Sequence, residues 1–155
     1  MSGWVRALNR NVADEVDLVA RRMRETLVEV LGAERGTGMY TLEWLRQRVL
    51  QHLGQLVGEV FVVEEGAELV AHTIVRVEEG AGLFSTVFVD PAYRGRGLAR
   101  QLLAQGEEWM LAHQMTEGVT YTAETNDKLR RLFESCGYRV VEQRGEFIQL
   151  RRTLV

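Results

Sequence analysis

Two hydrophobic periods alternate along this chain, and their order predicts its architecture. From Val12 the residues Val12, Val16, Val19, Ala20, Met23, Leu27 and Val30 recur at helical spacing, with Asn11 as the N-cap and Gly32 as the stop. A loop from Gly32 to Tyr40 leads to Thr41, which can cap a second helix carrying the stripe Leu42, Leu45, Val49 and Leu53. Strand-like segments follow quickly: Val57 to Glu64, Leu69 to Glu78 and Leu83 to Val89, separated by turns at Glu65-Gly66 and Gly80-Ala81-Gly82, which makes an antiparallel meander. Helical spacing returns from Gly97 to Gln114 with Leu98, Ala99, Leu102, Leu103, Trp109, Met110 and His113, and Gly106 lets that helix lie close on the sheet. Thr120 to Glu124 is the next strand, parallel to Leu83 to Val89 because a helix crosses between them. Asn126 caps a last helix that Gly137 ends, and Tyr138 to Arg144 with Phe147 to Arg152 close the chain as a hairpin around Gly145.

With Trp4 to Leu8 as an opening strand, the order is β-α-α-β-β-β-α-β-α-β-β. That is an α/β (α+β) architecture, a mixed twisted sheet of about seven strands with about four helices. At 155 residues the chain has the size of one domain, 1–155, able to bury a substantial core.

Composition and charge remove whole classes of function. The chain is 46% hydrophobic and 26% charged, as in an ordinary globular protein. Nineteen Lys and Arg against 22 Asp and Glu give a net charge of −3, so no global basic field is available to hold nucleic acid. The arginines cluster locally, in Arg21-Arg22-x-Arg24, Arg94 to Arg100 and Arg130-Arg131, the first reading as a solvated helix face. Cys136 is the only cysteine, which excludes an intrachain disulfide and fits a cytoplasmic protein; its position reads as core. His52, His72 and His113 lie far apart without ligand spacing, so no metal is expected, and His72 inside its strand reads as a satisfied core histidine. Met1 to Asn11 lacks the apolar core of a signal peptide, and no apolar run approaches membrane-spanning length.

The densest chemical signal is Val87 to Leu103, an apolar strand that passes through a turn crowded with arginine and glycine into an amphipathic helix. Such a junction is a phosphate cradle: the first helical amides lack partners, glycines allow close approach, and arginines add charged donors. It is not a P-loop, because no Gly followed by four residues and Gly-Lys-Ser/Thr occurs. Nor is it a dinucleotide fingerprint, because Gly95-x-Gly97 is followed by Leu98-Ala99-Arg100 rather than by a third glycine.

What remains, Arg94-x-x-Gly97-x-Ala99, resembles the Q/R-x-x-G-x-G/A signature of the GNAT (GCN5-related) N-acetyltransferase superfamily. Asp90-Pro91-Ala92-Tyr93 is similar to the connection before the family's arginine. Thr120 to Asn126 is similar to its fifth strand ending in asparagine, and Leu129 to Tyr138 resembles its N-x-x-A-x-x-L-Y-E-x-x-G-F helix. The resemblance is specific from about Leu83 to Tyr138 and topological elsewhere.

It implies direct transfer of an acetyl group from acetyl-CoA to a primary amine in a ternary complex, without a covalent enzyme intermediate. Backbone amides of Arg94, Gly95, Arg96, Gly97, Leu98 and Ala99 would hold the pyrophosphate, with the Arg94 and Arg96 side chains as electrostatic support. Phe88 and Val89 would pair with the pantetheine arm, and Asn126 would contact the pantetheine or leaving group. Phe133 would line the cofactor site from the last helix, yet it departs from the pattern, standing where the family often has a tyrosine that protonates the thiolate. Tyr138 and Tyr121 are substitutes for that acid, and loss of the hydroxyl opens the alternative of a non-catalytic acyl-CoA sensor. For the general base Glu124 is the first choice, ahead of Glu78 and Glu79, while Asp90 fixes the turn before Pro91. The acceptor, a small-molecule or peptide amine, would meet Met39, Tyr40 and Trp44. The closing hairpin offers an edge for dimerisation, leaving monomer and homodimer both open.

Overall fold

Alternating valines dictate the centre of the molecule. In Glu59-Val60-Phe61-Val62-Val63 successive side chains fall on opposite faces of a strand, and both faces are buried, so both must be covered by helices. The computed structural model describes residues 4–8, 13–31 and 58–154, and the side chains of 5–8, 15–25 and 58–154. These form β1 (Trp4–Ala7), α1 (Ala13–Leu31), β2 (Gly58–Glu65), β3 (Glu68–Glu78), β4 (Ala81–Val89), a 3₁₀ turn (Pro91–Tyr93), α2 (Leu98–Ala112), β5 (Glu117–Ala123), α3 (Asp127–Ser135), β6 (Arg139–Arg144) and β7 (Phe147–Thr153). The helix expected after Thr41, and with it Met39, Tyr40 and Trp44, lies outside the described residues.

One seven-stranded sheet runs in the order β1-β2-β3-β4-β5-β7-β6. Its pairs are antiparallel except β4 with β5, which the α2 crossover makes parallel as expected. On one face α1 sets Val16, Val19 and Ala20 against Val60, Val62 and Ile74. On the other, Leu98, Leu102, Leu103 and Met110 of α2 and Phe133 of α3 pack with Phe61, Val75, Phe84 and Leu150. Two strands begin earlier than their apolar pattern does: β4 at Ala81, where Gly82 lies under Met110, and β5 at Glu117, where pairing with β7 replaces a hydrophobic signal. The expected helix at Gly97 begins one residue later, with Gly97 itself as the cap.

Gly106 is the contact that fixes the height of α2 above the sheet. A Cβ there would stand 2.4 Å from the Phe84 ring and 3.0 Å from Val75 Cγ1. Gly106→Val is therefore expected to lower unfolding free energy by about 1–3 kcal/mol through overpacking, as read by urea denaturation; an unchanged midpoint would mean that α2 shifts freely.

Candidate functional site

A gap opens in the middle of the sheet. β4 and β5 pair only over Gly82, Leu83 and Phe84 against Gly118, Val119 and Thr120. Beyond that point β4 stays with β3 to Val89, and β5 stays with β7 to Ala123. The parting coincides with a register shift: Ile74 faces Thr86 and Val75 faces Phe84, which leaves Ser85 as one extra residue that bends β4 away. The Asp90 N–H donates to the Val70 carbonyl at 2.8 Å, so Phe88 and Asp90 turn their backbone groups toward β3. By alternation Val87 and Val89 turn theirs into the gap, where an extended amide chain could complete the pairing. Phe88 lines the groove as expected but its ring stacks on His72 and lies under Arg22 of α1, while the backbone facing the gap is that of Val87 and Val89.

At the top of the gap the chain turns into α2. Asp90 Oδ1 accepts from the Ala92 N–H at 3.0 Å, which closes the 3₁₀ turn and confirms Asp90 as the residue that fixes it. Gly95 and Gly97 then take φ of 82° and 79°, left-handed values that glycine adopts without penalty. The first described bond of α2 is Gln101 N–H to the Gly97 carbonyl at 3.1 Å, so the amides of Leu98, Ala99 and Arg100 precede the intrahelical ladder. Three aligned donors at a helix N-terminus form an anion site.

Gap and cradle are continuous in a groove of about 690 Å³, whose lining includes Val87, Phe88, Val89, Arg94, Gly95, Gly97, Leu98 and Ala99 from the β4–α2 side. Asn126, Lys128, Leu129 and Leu132 face them from α3. The lining, apolar beside Val87, Val89, Leu129 and Leu132 and rich in donors at the α2 N-terminus, suits a ligand with one apolar arm and one anionic end. Arg94 is held in place by its Nε donating to the Val89 carbonyl at 2.9 Å. Asn126 caps α3, its Oδ1 accepting from the Leu129 N–H at 3.3 Å while the residue still lines the groove.

Other sequence-predicted residues are placed elsewhere. Arg96 pairs with Glu65 at 3.2 Å and lies over the Tyr93 ring at 4.8 Å, turned out of the groove. Arg100, the last member of the Arg94–Arg100 cluster, lines the groove and donates to Ser135 Oγ at 3.0 Å. Phe133 is wholly buried between Phe84 and Tyr138, so Leu132 and Leu129 form the α3 wall that Phe133 was expected to share. Tyr138 is also corrected as a candidate acid: its hydroxyl donates to Glu107 Oε2 at 2.7 Å within the core. Burial, aided by that hydrogen bond, pushes its phenol pKa far above the ordinary value. Glu124 stands exposed at the end of β5, where Gln143 donates to its carboxylate and its N–H donates to the Glu146 carbonyl at 2.8 Å. Cys136 is free and half-buried against the core.

A second cavity, about 390 Å³, adjoins the bottom of the gap and is lined by Arg76, Glu78, Glu79, Leu83, Phe84, Ser85 and Tyr121. Tyr121 is exposed, its hydroxyl accepting from Gln149 Nε2 at 2.8 Å. His72, expected to be satisfied, is buried with neither ring nitrogen hydrogen-bonded. No helix among the described residues is long and apolar enough to cross a membrane.

A mixed sheet split between its parallel strands, with a glycine-rich helix N-terminus at the top of the split, defines an α/β protein whose groove ends at a cluster of backbone donors suited to an anion. The chain belongs to the acetyltransferase (GNAT) family, whose model matches residues 20–138. The PaiA N-acetyltransferase from Thermoplasma acidophilum, solved in complex with coenzyme A, superposes with a TM-score of 0.81 at 16% identity over 99% of each chain. Spermidine N-acetyltransferase from Vibrio cholerae, solved with CoA and spermine, gives 0.70 at 16% identity over 97% of this chain and 95% of that one. The ribosomal-protein-S18-alanine N-acetyltransferase from Escherichia coli gives 0.73 at 15% identity over 99% and 94%. No curated protein sequence matches the chain significantly. Family and fold support acetyl transfer in general terms.

Proposed function

We propose that this chain is a cytoplasmic N-acetyltransferase that moves the acetyl group of acetyl-CoA directly to a primary amine in a ternary complex. The observation that carries the reading is the continuity of the β4–β5 gap with the α2 cradle in one groove. The amides of Leu98, Ala99 and Arg100 would bind the pyrophosphate, with Arg94 and Arg100 as cationic walls. Backbone groups of Val87 and Val89 would pair with the pantetheine amides, and one of these N–H groups would polarise the thioester carbonyl as negative charge develops on its oxygen. Asn126 would contact the arm from α3.

The amine would approach through the cavity beside Ser85 and Tyr121, and a small-molecule or peptide acceptor fits this reading equally. Glu124 would take the amine's proton through water, its exposed carboxylate being steadied by Gln143. With a phenylalanine at 133 and Tyr138 tied to Glu107, no phenol serves the departing thiolate from α3. A thiol pKa of about 8.5 makes thiolate a workable leaving group without a dedicated acid. Both a monomer and a homodimer are compatible with this reading.

Acetyl-CoA at one hundred times its Kd is expected to raise the melting temperature by about 5–10 °C, corresponding to about 2.7 kcal/mol of linkage in a domain of this size. Absence of any shift at millimolar acetyl-CoA would overturn the assignment. Release of free thiol over a panel of amines, lost in Glu124→Gln, tests the chemistry. The fully buried, hydroxyl-free Phe133 favours one second reading, an acyl-CoA sensor, which predicts binding without turnover on every amine.

A further inference from the structure

Arg22 on α1 is an expensive residue to bury. Its side chain is only 13% exposed, and desolvation works against its charge, opposed by Asp90. An apolar side chain would fill the same space at less cost if packing were its whole role. Its contacts converge instead on the segment that leads into the donor cradle. One terminal nitrogen donates to the Leu69 carbonyl of β3, the guanidinium lies 5.1 Å over the Phe88 ring of β4, and the other terminal nitrogen pairs with Asp90 Oδ2 at 3.6 Å.

Asp90 is the junction of three elements. Its N–H is held by Val70 of β3, its Oδ1 closes the Pro91–Tyr93 turn, and its Oδ2 faces α1 through Arg22. Four residues later Arg94 begins the cradle, steadied on the Val89 carbonyl next to Asp90 in the chain. A rotation of the Asp90 carboxylate would therefore move the turn that sets where Gly95 and Gly97 place the helix amides. Misplacement of about 1 Å in such a constellation costs heavily in binding or rate.

We propose that Arg22 is a positioning residue for donor binding, acting through Asp90 to hold the 3₁₀ turn, and thereby the anion cradle, in its binding geometry. Arg22 is not itself part of the groove lining; it reaches the cradle through the ion pair to Asp90, beside its contact with the outer side of the groove at Phe88. This deepens the proposed reading and rests on it.

The test is calorimetric titration of coenzyme A into wild type, Arg22→Met, Asp90→Asn and the double variant. Asp90→Asn keeps a side-chain oxygen for the Ala92 N–H but removes the charge that faces Arg22. Each single variant is expected to weaken CoA about tenfold, the double variant no further than either one. Arg22→Lys, which keeps the charge but not the planar fork, should recover part of the loss. Hydrogen exchange at residues 92–99 in the ligand-free variants should quicken while exchange in β2 stays unchanged. Wild type that binds CoA beside single variants of equal affinity would overturn the strut alone, as would additive losses in the double variant. Wild type that fails to bind would overturn the acetyltransferase reading and the strut with it. Should Arg22→Met not fold, Asp90→Asn, altered at a partly exposed side chain, carries the same comparison.

Discussion

Gly97→Glu is expected to weaken coenzyme A binding at least one hundredfold, equivalent to about 2.7 kcal/mol, while leaving the protein folded. Gly97 has φ of 79° and caps α2 from the groove side. A Cβ built on it meets no surrounding protein atom within 4 Å, so a side chain enters open space at a residue that lines the groove. Any L-residue there carries a left-handed penalty of about 1–2 kcal/mol, which Gly97→Ala measures alone. Glutamate adds a carboxylate where the aligned amides of Leu98, Ala99 and Arg100 attract an anion, and so competes with the pyrophosphate for them. Titration of both variants separates strain from charge. Equal losses in Ala and Glu would assign the effect to conformation, and an undiminished affinity in Glu would remove the phosphate from this turn.

The sequence made legible those features that local chemistry determines. Gly106 announced close packing of α2, because a glycine inside an apolar helical stripe has few other uses, and the Phe84 ring fills that space. Asn126 announced the start of α3 through its side-chain cap. The parallel β4–β5 pair followed from the crossover helix. Features that depend on counting single residues across strands were hidden. Ser85 is an ordinary residue whose role as the extra member of β4 appears only once Ile74 and Val75 are paired. That shift also decides which backbone groups enter the gap, and so exchanges Phe88 for Val87. Side-chain direction on helices was partly hidden as well. A similarity of pattern placed Phe133 on the ligand, but α3 turns that residue into the core beside Phe84 and Tyr138 and leaves Leu132 outside. For the arginines, sequence showed a cluster without its partition: Glu65, distant in sequence, draws Arg96 away, while Ser135 steadies Arg100 beside the groove.

His72 should make this protein acid-sensitive well above the range in which carboxylates titrate. The residue is buried on the α1 face of β3, stacked on Phe88 at 5.6 Å, with no hydrogen-bond partner at either nitrogen. Burial first, and the neighbouring Arg22 charge second, push its pKa down to about 3. In the unfolded chain it titrates near 6.5, so between those values the unfolded state binds a proton that the folded state refuses. The stability that accompanies the neutral ring is therefore full above about pH 6.5 and is lost as pH falls below it, by about 1.4 kcal/mol per unit and about 2 kcal/mol by pH 5. His72→Leu removes the proton without adding a polar group. Urea denaturation at pH 7, 6 and 5 is expected to give a wild-type stability that declines more steeply than that of the variant, with the gap between them changing by about 2 kcal/mol over the range. Parallel curves would mean that the imidazole finds a partner or water in solution. Because Arg22 lies over the Phe88 ring on which His72 stacks, and its charge helps to lower the histidine's pKa, Arg22→Met is expected to reduce the difference between wild type and His72→Leu.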